Sequence, residues 1–193
     1  MTKQIYQIQI ALKGFKPKIW RRVLISSDTP MYRFHEVIQV SMGWEGGHLH
    51  QFEKNGIFYS TKMEGDDMWG EMDTVDYKKL KVSHLLKQEK DKMRYEYDFG
   101  DSWEHDIILE KILEPDEKLK YPVCIAGKMN CPPEDCGGIW GYEDLLEIIK
   151  NPKHEEYKEM MEWLGDDFDP EHFDKDEANN VLLYFSEKKS SRK

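Results

Sequence analysis

The chain has 193 residues, with 38 Asp and Glu against 28 Lys and Arg, for a formal net charge of −10. That balance disfavours a nucleic-acid partner, because binding to phosphates is driven by Lys and Arg releasing counterions. No apolar run approaches the roughly 20 residues that span a bilayer, and six tryptophans, ten tyrosines and eight phenylalanines supply a substantial core.

From the first residues, Tyr6, Ile8, Ile10 and Leu12 alternate with Gln7 and Gln9, as in a strand with one buried face rather than a secretory leader. Gly14 and Pro17 bracket a turn into a second strand, Ile19 to Ile25. Thr29-Pro30 reads as an N-cap with proline at the first helical position, and Phe34, Val37, Ile38, Ser41 and Met42 follow at helical spacing up to Gly43. Asn55-Gly56 joins two short strands, His48 to Glu53 and Ile57 to Tyr59, as a hairpin. Residues 60–80 form an acidic excursion, and Val82 to Leu86 fit one helical turn. Met93–Phe99 and Trp103–Leu113 make a second hairpin. Beyond residue 142 the pattern becomes helical: Tyr142, Leu145, Leu146 and Ile149; then Tyr157, Met160, Met161 and Leu164, stopped by Gly165; then Val181, Leu182 and Phe185. The basic residues 188–193 read as a disordered tail.

Two segments are dense in chemistry. In YEYDFGDSWEH, residues 95–105, a three-residue turn Gly100-Asp101-Ser102 sets Phe99 opposite Trp103, Tyr97 opposite His105, and Tyr95 opposite Ile107. This register gathers Tyr95, Tyr97, Phe99, Trp103 and His105 on one face, and sets Asp98 against Glu104 and Glu96 against Asp106. Such like-charged pairs need a compensator, with Arg21 or Arg22 as candidates besides solvent. In YPVCIAGKMNCPPEDCGGIWGY, residues 121–142, all three cysteines, two prolines in a row and four glycines make a shaped loop. Without an export signal, an odd cysteine count predicts reduced thiols in the cytoplasm. Cys131 and Cys136 lack the second pair of a zinc site, so buried neutral thiols are the plainer reading. The glycine-rich entry at 137–141 exposes backbone N–H groups at a helix start, although Glu143 and Asp144 themselves answer the helix dipole.

His48 and His50 lie two apart on a predicted strand, about 6.6 Å by strand rise and on one face. Two same-face imidazoles can hold a transition metal if a third ligand arrives, and His105 is the candidate; the alternative is half-buried, hydrogen-bonded histidines.

Together, KGFKPKIWRRVLI, FHEVIQVSMGWEGGHLHQF, the hairpin, the cysteine loop and EWLGDDFDPEHFD resemble the plasmid pRiA4b ORF-3-like family over nearly the whole chain. This family is without an established biochemical function, so the resemblance implies a single compact domain rather than a mechanism. Some members carry resolvase-related names, but no serine set among arginines supports that here.

These observations define an α+β protein with a β-grasp-like mixed sheet and a C-terminal helical segment. One domain is expected over residues 1–187, comprising a β-rich core (1–113), the loop (121–142) and a helical part (142–187). The expected function is a cytoplasmic module binding a small molecule or a protein, without membrane or nucleic-acid partners. Its pocket is expected to be lined by Trp44, His48, His50, Asp101, Trp103, His105 and Trp140. The alternative is a metal-dependent hydrolase with a divalent transition metal on His48, His50 and His105 and Asp101 or Glu104 as base.

Overall fold

A computed structural model describes residues 4–61, 74–165 and 168–190, with side chains described as far as Tyr184. The strands are β1 (Ile5–Leu12), β2 (Trp20–Ser26), β3 (His50–Lys54), β4 (Ile57–Ser60), β5 (Thr74–Asp76), β6 (Lys92–Tyr97), β7 (Trp103–Leu113) and β8 (Val123–Lys128). The helices are α1 (Met31–Met42), α2 (Val82–Leu85), α3 (Gly138–Lys150), α4 (Tyr157–Leu164) and α5 (Lys175–Ser190). One eight-stranded sheet runs β5-β4-β3-β6-β7-β1-β2-β8. Every pairing is antiparallel except the parallel edge pair β4–β5. The fold is α+β with a mixed sheet; this strand order does not confirm a β-grasp-like core.

Period-two alternation explains which side of the sheet is buried. Tyr6, Ile8 and Ile10 of β1, Tyr95 and Tyr97 of β6, and Trp103, His105, Ile107 and Leu109 of β7 all lie on the inner face and are buried. Helix α1 packs there through Phe34, Val37, Ile38 and Met42, and Tyr142, Leu145 and Leu182 extend the same core from α3 and α5. Helix α1 begins with Pro30 as its N-cap, one residue later than the Thr29 cap expected, and ends on Gly43 at φ 94°.

Three expectations are corrected. The hairpin register is displaced by two residues: Tyr97 faces Trp103, Tyr95 faces His105, and Glu96 faces Glu104. Asp98 is the cause. Its side chain accepts the Gly100 N–H at 2.9 Å and its carbonyl accepts the Ser102 N–H at 2.6 Å, so an Asx-type turn ends the ladder before Phe99. A shift of two preserves the face, so the four other aromatic and imidazole side chains stay buried while Phe99 is 48% exposed. The like-charged pair that remains is compensated by Lys13 on Glu104, and by Gln51 and Ser102 on Glu96. Arg22 instead pairs with Glu110, and Arg21 is buried against the Ser41 and Lys128 carbonyls and the Phe173 ring.

Second, the cysteine-rich segment is not wholly a loop. Val123–Lys128 is strand β8, which pairs antiparallel to β2 and buries Cys124. Third, α5 continues through Ser190, so part of the expected tail is helical. Much of the acidic excursion lies outside the described residues, but its end, Thr74–Asp76, adds the edge strand β5.

Candidate functional site

Three connecting segments meet at one end of the inner sheet face: residues 43–49 after α1, the β6–β7 turn at 98–102, and the loop at 129–137. Gly43 in the left-handed conformation turns the chain so that Trp44 folds back over the core. The Trp44 indole N–H donates to the Pro132 carbonyl at 2.9 Å, tying the first segment to the third. Its ring stacks on Tyr97 at 5.3 Å, leans on Trp103 at 5.8 Å and meets His105 edge-on at 5.3 Å. The Asp98 N–H donates to the Leu49 carbonyl at 2.8 Å, joining the first segment to the second.

The second and third segments also interlock. Asp101 accepts the Gly137 N–H at 3.2 Å, so a carboxylate already occupies the anion position at the start of α3. A Cβ on Gly138 would sit 2.5 Å from the Asp101 carbonyl oxygen, and one on Gly141 would sit 1.9 Å from that of Cys136. Only glycine permits both approaches. The Tyr97 hydroxyl hydrogen-bonds Glu134, whose other oxygen accepts the Glu45 N–H at 3.0 Å.

On this frame His48 stands at the rim. Its ring meets Tyr97 edge-on at 5.7 Å. Nδ1 lies 3.5 Å from Asp98 Oδ2, and Nε2 lies 3.4 Å from Asp135 Oδ1. Each of the three residues offers one ligand atom within 4.8 Å of the others, and among the described residues theirs is the one such His, Cys and acid group.

The expected trio of His48, His50 and His105 does not form. His48 precedes β3 rather than lying in it. His50 points under α1, where it stacks on His35 at 3.5 Å and hydrogen-bonds Tyr77. His105 is fully buried, its Nδ1 donating to the Trp103 carbonyl at 2.9 Å. Burial lowers both to about 4, so each is a neutral core imidazole at neutral pH. His105 Nε2, Trp103 Nε1 and Gln39 Oε1 are buried without a hydrogen-bond partner among the described residues. Trp140 stands 80% exposed on α3, outside the aromatic cluster. Glu104, considered as a base, lies on the outer sheet face with Lys13. Two surface cavities, of about 420 and 390 Å³, open elsewhere.

Asp98, Asp135, Tyr97 and Glu134 join the site although none of them is among the expected pocket residues. In the sequence Asp98 reads as a strand residue, and Glu134-Asp135 as mere spacer between two cysteines. Burial pushes the Cys131 thiol up to about 11 and that of Cys136 up to about 12, and also raises Cys124, which disfavours the reactive thiolate.

Comparison with other proteins agrees with this architecture. The family described as plasmid pRiA4b ORF-3-like protein matches residues 4–177, and the chain belongs to that family. It is 32% identical over 166 residues to the uncharacterized protein y4hQ of Sinorhizobium fredii, covering 86% of this chain and 83% of the relative. It is also similar to the crystal structure of MM3350, a protein of unknown function from Methanosarcina mazei Go1. That likeness has a TM-score of 0.80 and 40% identity, over 91% of this chain and 98% of the other. No helix among the described residues is long and apolar enough to cross a membrane.

Proposed function

We propose that the protein is a cytoplasmic binding module whose ligand site is the rim formed by His48, Asp98 and Asp135 against the Tyr97 and Trp44 rings. The observation that carries this reading is the meeting of one imidazole and two carboxylates from positions 48, 98 and 135 on mutually hydrogen-bonded segments. Side chains held by such supports lose little entropy when a ligand arrives. The chemistry favours a compact, electropositive ligand, because acidic oxygens outnumber the one imidazole and Glu134 lies next to Asp135. His105, Trp103 and His50 form the packed floor of the site rather than its contact surface.

The test is a two-dimensional NMR titration of the labelled protein with a panel of small cations, both metal and organic. Amide shifts centred on His48, Tyr97, Asp98 and Asp135 are expected. Shifts centred on another surface, or no shifts with any member, would overturn the reading.

A further inference from the structure

We propose that His48, Asp98 and Asp135 bind a divalent transition-metal cation; this names the ligand of the site just described and rests on that reading. The geometry has two parts. The imidazole–carboxylate separations of 3.4 and 3.5 Å are longer than the roughly 2.7–2.9 Å of charge-assisted hydrogen bonds. One ion takes one ring nitrogen, and the 3.4 Å from Nε2 to Asp135 matches the ligand-to-ligand edge of a tetrahedral site with metal–ligand bonds of about 2.0–2.1 Å, which is about 3.3–3.4 Å. The Asp98 carboxylate completes the group, all three ligand atoms falling within 4.8 Å, and a small side-chain rotation brings it onto the same ion.

The competing account is a protonated His48 between two surface carboxylates. With His48 36% and Asp135 73% exposed, such pairs contribute little. They give no reason for three separate segments to be locked together around one imidazole. One nitrogen and two oxygens form a borderline donor set, suited to Zn²⁺, Co²⁺ or Mn²⁺ rather than to Ca²⁺ or Mg²⁺, which prefer all-oxygen shells. Three protein ligands leave at least one coordination position for water or for a group on a partner. Tyr97 walls one side of the imidazole and limits water there.

Untagged protein, stripped with chelator and dialysed, is titrated with Co²⁺ while its visible absorption is recorded, and with Zn²⁺ by calorimetry. The wild type is expected to bind one equivalent of each. His48→Gln and Asp98→Asn are expected to weaken binding at least tenfold while circular dichroism and melting temperature hold. His172→Gln, which removes an exposed imidazole paired with Glu177, should leave binding unchanged. Absence of binding by the wild type, or equal binding by folded His48→Gln, overturns the proposal. If organic cations still perturb His48 and Asp98 while metals do not, the metal assignment alone falls; if nothing perturbs them, the binding reading falls with it.

Discussion

The imidazole rings of His35 and His50 lie face to face, with centroids 3.5 Å apart and planes within 3° of parallel. Protonating His50 would place a cation in a desolvated stack against a second imidazole, and burial accordingly holds its pKa down at about 4. His105, fully buried, is held at about 4 by the same cause. Both titrate near 6.5 when unfolded. The unfolded chain therefore binds more protons between these values, so their stabilisation is complete above about pH 6.5 and is lost as the pH falls toward about 4.

Urea midpoints should therefore drop between pH 6.5 and 4.5, with each proton contributing up to about 1.4 kcal/mol per pH unit. The lowered carboxylates of Asp91 and Glu110 add their loss only at more acidic pH. His172 works in the opposite sense, since Glu177 raises its pKa, and a His172→Gln background removes it. His50→Gln should flatten the profile by about one proton. A midpoint unchanged from pH 6.5 to 4.5 would show that these imidazoles are not buried neutral.

The displaced hairpin register makes a paired prediction. Trp103 is fully buried and faces Tyr97, whereas Phe99 lies beyond the last ladder pair. Trp103→Ala should cost roughly 3–5 kcal/mol and Phe99→Ala no more than about 0.5 kcal/mol, by chemical denaturation. Equal costs would restore the three-residue turn and contradict the turn set by Asp98.

Much of the fold was legible because its signals are local. The alternation in β1, the helical spacing from Phe34 to Met42 and the Asn55-Gly56 turn each depend on a few neighbouring residues. What escaped depended on partners distant in sequence. Val123–Lys128 carries a glycine and follows Pro122, so it reads as a loop until β2 supplies its hydrogen bonds. The site suffered similarly. Trp44, His48, Trp103 and His105 all lie in or at the rim of one cluster, but composition cannot say that His105 is core and His48 rim. Asp98 reads as a strand residue because a side-chain turn competes with the ladder there, and Asp135 carries no local signal that would mark it.

Native thiols offer a third check. With Cys131 and Cys136 raised by burial to about 11 and about 12, almost no thiolate exists at neutral pH. Reaction with a disulfide reagent at pH 7.5 should be slow in native protein and complete for three thiols once it is unfolded. Rapid modification of either residue in the folded state would indicate an activated cysteine and a different functional centre.

The most direct test is an anomalous difference map at the zinc edge from crystals grown with Zn²⁺. The expected result is a peak bonded to the His48 imidazole and the Asp98 and Asp135 carboxylates at about 2.0–2.2 Å. A map whose density lies on exposed His172 and Glu177, with none at His48, would contradict the assignment of this site.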